Sequence, residues 1–225
     1  MAENESILEN KLIHEFATGD SQWTYRPDLK TEDDLWNNIR EKLGNMNSHK
    51  LDGHPITDSE MEQIKSFIKE KAESTYKAAV WLSGERGLAQ IPLSREDASL
   101  GQLHLDAISN RDIAGGHSTY EIINQYQSRK QDDTDRNRRF DVTLLINGFP
   151  MIHIELKNQS HPYKEAFNQI KKYLTQGKFR GLFGLVQMFV VTNGVDTKYI
   201  AANDDPEKLN EKFLSTWVDK NNNPV

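Results

Sequence analysis

Residues 138–159 read RRFDVTLLINGFPMIHIELKNQ, and this stretch decides the fold. Two apolar runs, Phe140–Ile146 and Pro150–Leu156, flank the dipeptide Asn147-Gly148. Asn-Gly between two such runs is the strongest short-range signal for a β-hairpin. The sequence therefore predicts two antiparallel strands joined by a tight turn.

The register of this hairpin follows from its hydrophobic pattern. An ideal two-residue turn would place Val142 opposite His153 and mix apolar with polar side chains. One extra residue, in a three-residue loop or a bulge, puts the apolar and the polar side chains on opposite faces. It also places Asp141 opposite Glu155, with Cβ atoms about 4.5–5.5 Å apart. The pairs are then Ile146–Pro150, Leu144–Ile152 and Val142–Ile154, and these six residues share the apolar face. The other face carries Asp141, Thr143, Met151, His153, Glu155 and Lys157.

Three ionisable residues of the polar face form a candidate catalytic group. Two carboxylates as close as Asp141 and Glu155 repel each other, and a divalent cation offsets that repulsion. Mg²⁺ is commonly held by one or two carboxylates with water and phosphate oxygens, so we expect it here, with Mn²⁺ as a substitute. Lys157 is expected to orient a water molecule for attack on a phosphodiester. The alternative is that all three are ordinary solvated strand residues.

Charge is distributed unevenly along the chain. Nine Lys or Arg residues and three acids lie between Arg136 and Arg180, a net charge of +6, although the whole chain carries −6. An evenly basic nucleic-acid coat is therefore excluded, and a polyanion is expected at the basic segment. Within it, Arg136, Arg138 and Arg139 either contact phosphate or form a solvated loop.

Composition narrows the class of protein further. The chain has no cysteine, which excludes disulfides and thiolate zinc sites and makes a cytoplasmic setting the expectation. No stretch approaches 18 consecutive apolar residues, so no membrane partner is expected. The chain also lacks the G-x-x-x-x-G-K-[ST] loop that binds nucleotide phosphates.

The rest of the chain surrounds the hairpin with helices and strands. Helical apolar spacing and capping signals predict a helix-rich part over residues 1–86, whose last helix runs from Thr57 to near Gly84. Further predictions are strands at 103–107, 119–126, 186–191 and 198–201, a helix at 163–174 and a closing helix at about 206–217. We expect one domain over 1–225, of the α/β (α+β) class, with a mixed central sheet flanked by helices and a core over about 87–202.

The sequence resembles a known family. An Asp that opens one strand, with Glu-x-Lys on its partner, is typical of the PD-(D/E)xK nuclease superfamily. The stretch at 138–159, with AFNQIKKY at 166–173 and FVVTNG at 189–194, more narrowly resembles the N-terminal nuclease domain of the R subunit of type I restriction–modification enzymes. The resemblance is densest between residues 120 and 194. Phe140 stands where the superfamily's name has Pro.

The resemblance implies a restriction-endonuclease-like core and specific roles for its residues. Asp141 and Glu155 would bind the metal and Lys157 would activate water. Gln169 and Tyr173 occupy a Gln-x-x-x-Tyr motif, which in similar nucleases supports the site or contacts DNA.

Two of these assignments remain open. The four-residue spacing of the Gln-x-x-x-Tyr motif also fits a simple packing stripe on a helix. In related nucleases a Glu of the first helix completes the metal shell, and the sequence does not choose between Glu9 and Glu15.

The resemblance also implies a function. It is Mg²⁺-dependent cleavage of double-stranded DNA, without sequence specificity of its own, beside the methylation (M) and specificity (S) subunits of an ATP-dependent complex. ATP serves only the motor region of R subunits, whose phosphate loop this chain lacks. The chain is then either a fragment of a longer subunit or a stand-alone relative, and the polar, linker-like residues 221–225 favour the fragment. The alternatives are a catalytically silent module that docks DNA or the complex, and another PD-(D/E)xK nuclease of DNA recombination or repair.

Overall fold

The structure, a computed structural model, describes residues 4–19, 23–110, 118–127 and 139–223. Its α-helices are α1 (Glu5–Thr18), α2 (Glu32–Met46), α3 (Ser48–Leu51), α4 (Asp58–Lys71), α5 (Thr75–Ser83) and α6 (Tyr163–Thr175). Its strands are β1 (Thr24–Tyr25), β2 (Leu88–Ser94), β3 (Gln102–Ser109), β4 (Tyr120–Gln127), β5 (Arg139–Ile146), β6 (Phe149–Leu156), β7 (Met188–Thr192), β8 (Thr197–Ala201) and β9 (Ser215–Thr216). Within these ranges, none of the helices has the length and apolar character needed to cross a membrane.

A seven-stranded mixed sheet forms the centre of the fold, in the order β1-β4-β5-β6-β7-β8-β9. The β1–β4 and β6–β7 pairs are parallel and the other neighbours are antiparallel. Strands β2 and β3 form a separate antiparallel pair. A mixed sheet with flanking helices is the predicted fold class, and it is consistent with a restriction-endonuclease-like core.

Two apolar cores cover the sheet. The larger one joins helices α2, α4, α5 and α6 to the sheet and includes Ile39, Ile64, Phe149 and Ile170. The smaller one, in which Leu8 and Ile13 of α1 pack against the sheet, includes Ile122, Val142, Leu144, Ile154 and Val190. The open end of the β5–β6 hairpin therefore lies between α1 and α6, which is where the polar residues meet.

The hairpin register is the predicted one in its open half and differs beside the turn. Val142 pairs with Ile154 and Leu144 with Ile152, as expected. A bulge then leaves Met151 as the extra residue, and the closing pairs are Leu145–Pro150 and Ile146–Phe149. The predicted Ile146–Pro150 pair is wrong. Ile146 consequently packs against the larger core and not on the face of Val142.

The last helix predicted for the helix-rich part is in fact two helices. One helix was expected from Thr57 to near Gly84, but α4 ends at Lys71 and α5 begins at Thr75. The Ser74 side chain caps α5 by accepting the Lys77 amide, so a separate helix begins there. The apolar repeat that predicted a single helix is not buried beyond the break, since Tyr76 is 78% exposed and Val80 is 55% exposed.

The predicted closing helix at 206–217 is also wrong. This segment holds a short 3₁₀ turn, Glu211–Phe213, and then β9, which pairs with β8 at the sheet edge. Leu209 is buried, but Phe213 is 70% exposed. The helical spacing was coincidental, because the sheet edge offers backbone partners that outweigh one weak apolar stripe.

Candidate active site

Asp141 and Glu155 meet at the open end of the hairpin. The last ladder pair, Val142–Ile154, puts these two residues opposite each other, so that the charge of one acts on the other. Asp141 Oδ2 also accepts the Leu156 amide at 2.9 Å. Glu155 has no exposed surface. The pair is thus a packed feature of the sheet and not a solvated strand surface.

The surroundings of this pair favour the protonated carboxyl form. Burial raises the pKa of Asp141 to about 8, and the nearby Glu155 charge raises it too. Burial likewise raises the pKa of Glu155 to about 8, although Lys157 and Gln169 oppose the rise. Glu155 is fully buried and Asp141 is half-buried. Acids with pKa values near 8 hold a proton at neutral pH, and a cation able to replace that proton would bind well.

His153 lies beneath the pair. Its Nε2 is 3.0 Å from Glu155 Oε2, and its Nδ1 is 3.4 Å from the Thr143 hydroxyl. The Phe140 and Phe179 rings lie 4.8 Å and 5.3 Å from the imidazole, which has no exposed surface. Burial lowers the pKa of His153 to about 4, so the ring is neutral. Sequence reasoning placed this residue on the right face but missed its contact with Glu155.

The Gln-x-x-x-Tyr motif reaches the site from α6. Gln169 Nε2 donates to Glu155 Oε1, and it also lies 2.7 Å from the Tyr173 hydroxyl. That hydroxyl donates in turn to the Arg139 carbonyl at 3.4 Å. Tyr173 is buried in the larger core. Tyr173 therefore packs as a helix stripe would, and Gln169 contacts the predicted metal ligand Glu155.

Lys157 lies near the carboxylates, but its ammonium faces α1. Its Nζ is 3.6 Å from Glu5 Oε1, and its side chain is 15% exposed. The Lys157 charge lowers the pKa of Asp141 and of Glu155 against the larger effect of burial. Glu5 was missed by sequence reasoning, since it precedes the apolar stripe of α1 and no spacing rule marked it.

The two glutamates proposed from α1 differ in their surroundings. Glu9 is buried and accepts hydrogen bonds from Asn124 Nδ2 at 2.5 Å and Gln125 Nε2 at 2.6 Å. Glu15 is exposed. The α1 glutamate that approaches Lys157 is Glu5, one helical turn before Glu9.

The predicted phosphate-contacting arginines are placed only in part. Arg139 begins β5 with an exposed side chain, and its carbonyl accepts the Tyr173 hydroxyl. Arg136 and Arg138 lie outside the described residues.

The donor set of the pair fits a hard divalent cation. Across the described ranges, no group of three or more His, Cys, Asp or Glu side chains is arranged to hold a metal. Asp141 and Glu155 nevertheless supply two oxygen donors, and Mg²⁺ often takes one or two protein carboxylates and fills its other positions with water and phosphate. Their raised pKa values are the behaviour expected of a carboxylate pair without its counter-charge.

Comparison with known proteins identifies the family of the chain. The family model described as "Type I restriction enzyme R protein N terminus" matches residues 2–208. The Type I restriction enzyme SauCOLORF180P endonuclease subunit of Staphylococcus aureus (strain COL) is 32% identical over 99% of this chain and 22% of that protein. The EcoprrI endonuclease subunit of Escherichia coli is 27% identical over 98% of this chain and 66% of that protein. The chain thus spans about a fifth of the length of the staphylococcal relatives. On the family match, the chain belongs to the family of type I restriction enzyme R protein N termini.

Proposed function

We propose that this chain is the nuclease domain of a type I restriction enzyme R subunit and hydrolyses phosphodiester bonds of double-stranded DNA with bound Mg²⁺ or, in its place, Mn²⁺. The observation that carries the proposal is the pairing of the half-buried Asp141 with the fully buried Glu155. Their carboxyl groups hold a proton that a divalent cation would displace. The names of the matched relatives, endonuclease subunits of type I restriction enzymes, support the same activity.

Each residue of the site has a role in this reaction. Asp141 and Glu155 would hold the cation, which when bound polarises a phosphate oxygen and lowers the pKa of a water molecule. Lys157 would leave Glu5, orient the attacking water and stabilise it as it loses its proton. Gln169 and His153 hold the two oxygens of Glu155, so that its carboxylate keeps one orientation.

The partners follow from the same proposal. The substrate is double-stranded DNA, cut without sequence preference from this domain, with Arg138 and Arg139 contacting phosphate. The methylation and specificity subunits would place the domain on DNA in the cytoplasm. ATP would act only at the motor region of the complete subunit.

Plasmid cleavage by the complete complex carrying Lys157→Ala tests the proposal. Cleavage should be lost while ATP hydrolysis stays normal, because the motor does not use this lysine. Lys69→Ala, at an exposed position on α4, is the matched control and should cleave like the natural protein. Normal cleavage by Lys157→Ala would refute the proposed chemistry.

Calorimetry with Mn²⁺ separates a nuclease from a silent docking module. We expect binding that disappears in Asp141→Asn and Glu155→Gln. If the natural protein showed no binding that depends on these two carboxylates, the docking module would be the better description.

A further inference from the structure

Strand β4 contains a strained residue near its C-terminal end. Gln125 has a φ of +52°, in the left-handed region, yet it lies inside β4, which runs to Gln127. A residue with a Cβ adopts this conformation only when its surroundings hold it there.

The strained residue lies opposite Asp141. Ladder pairs Asn124–Val142 and Tyr126–Phe140 flank the position and set Gln125 against Asp141. In a regular strand, residues two apart share a face. Here Val142 packs under α1 whereas Phe140 packs in the larger core, so the strand changes face at Asp141.

The change of face in β5 places the Asp141 carboxylate between β5 and β6. The β5–β6 ladder ends at Val142–Ile154, although β6 continues to Leu156. The Leu156 amide donates to Asp141 Oδ2 at 2.9 Å, where a regular ladder would offer a backbone carbonyl. The Asp141 carboxylate therefore stands between the two strands, beside Glu155.

Glu9 of α1 holds the strained segment. Its buried carboxylate accepts one hydrogen bond from Asn124 and one from Gln125, the two consecutive residues at the distortion. Asn124 is held on its other side by the Tyr25 hydroxyl at 3.0 Å and Lys30 Nζ at 2.6 Å. Both oxygens of Glu9 thus accept hydrogen bonds from β4 side chains, one of them the side chain of the strained residue itself.

We propose that Glu9 is a positioning residue for catalysis: it clamps Gln125 in its left-handed conformation and thereby sets the Asp141 carboxylate beside Glu155. The proposal rests on the proposed nuclease function. It gives Glu9 a role that acts through the backbone and differs from direct contact with a metal.

Glycine at position 125 provides the test, because glycine adopts a positive φ without strain. In the complete subunit, Gln125→Gly should cleave within about threefold of the natural protein, and Gln125→Ala about tenfold more slowly than Gln125→Gly, the ratio expected from the cost of this conformation. Glu9→Ala should lose at least as much activity as Gln125→Ala. Glu9→Ala combined with Gln125→Gly should recover most of it. Asn10→Ala, exposed on α1, is the control.

Amide hydrogen exchange at the end of β6, without metal or DNA, gives a second readout. The Leu156 amide should exchange faster in Glu9→Ala and Gln125→Ala, and regain protection when Gln125→Gly is added to Glu9→Ala. Failure of glycine to restore either cleavage or protection would overturn the proposal. So would equal behaviour of Gln125→Ala and Gln125→Gly, a comparison that stands even if Glu9→Ala does not fold. If Lys157→Ala cleaved normally, the proposed nuclease function would fail. The hydrogen-exchange result would still decide whether Glu9 clamps Gln125.

Discussion

His153 and Glu155, two residues apart on β6, join their side chains through a 3.0 Å contact between Nε2 and Oε2, and neither side chain is exposed. Gln169 donates to the other oxygen of Glu155. A buried carboxylate with a partner on each oxygen cannot rotate freely, so its orientation is set before any cation arrives.

Replacement of His153 by Leu should destabilise the fold. Leu keeps apolar volume beside Phe140 and Phe179 but leaves one Glu155 oxygen without its partner, so the free energy of unfolding should fall by about 2 kcal/mol. Urea unfolding measures this. Thr143→Val, which removes only the weaker 3.4 Å contact, should cost less than about 1 kcal/mol. An equal loss in both variants would show that the Glu155 contact carries no special weight.

The metal-free protein should lose stability as the pH rises from 6.5 to 8. The pKa values of Asp141 and Glu155 are raised to about 8, so the folded state binds more protons than the unfolded state in this window. The free energy of unfolding should therefore fall by about 1 kcal/mol per pH unit. Below pH 6.5 the lowered pKa of His153 acts with the opposite sign, which is why the window starts there. Chemical unfolding at several pH values tests this, and Asp141→Asn with Glu155→Gln should flatten the slope.

Gln169→Ala should reduce DNA cleavage far more than Tyr173→Phe. The first change removes a donor to Glu155, and loss of such a supporting contact typically costs about 10–100-fold in activity or metal affinity. The second keeps the buried ring and removes only the hydroxyl between Gln169 and Arg139. Mn²⁺ titration of both variants, with cleavage rates, checks the order. If Tyr173→Phe were the more damaged variant, the tyrosine hydroxyl would have to act directly.

Two glycine substitutions should have opposite effects on stability. Gly148, in the hairpin turn, has a φ of +82°, and a Cβ there would lie 3.1 Å from Ile39 Cγ1. Gly148→Ala should therefore lower the free energy of unfolding by about 1–2 kcal/mol. Gly44 lies within α2 with open space around its Cα, so Gly44→Ala should raise it by about 0.5–1 kcal/mol. Thermal unfolding of the two variants measures both effects, and stabilisation by Gly148→Ala would contradict the turn geometry.

The sequence predicted what local pattern controls and missed what distant packing controls. The start of α4 after Thr57 and the approach of Asp141 to Glu155 follow from spacing and register alone. The break before Ser74 was missed, because the apolar repeat continues across it.

The missed parts of the site have the same cause. The Glu5–Lys157 contact depends on where α1 packs against the sheet. The left-handed Gln125 depends on Glu9, 116 residues away. No periodicity in a single sequence reports contacts of that kind.

The bulge at Met151 lets the two halves of the β5–β6 hairpin pack in two different apolar cores. The turn half of the hairpin, with Ile146 and Phe149, is anchored among the helices, while the open half rests on the opposite side under α1. Deleting Met151 would restore the regular alternation of side chains between the two faces of the sheet. One half of the hairpin would then have to turn its apolar side chains to the other face. The extra residue Met151 therefore lets the turn half of the hairpin pack on one face of the sheet without changing how the two acids pair at the open end.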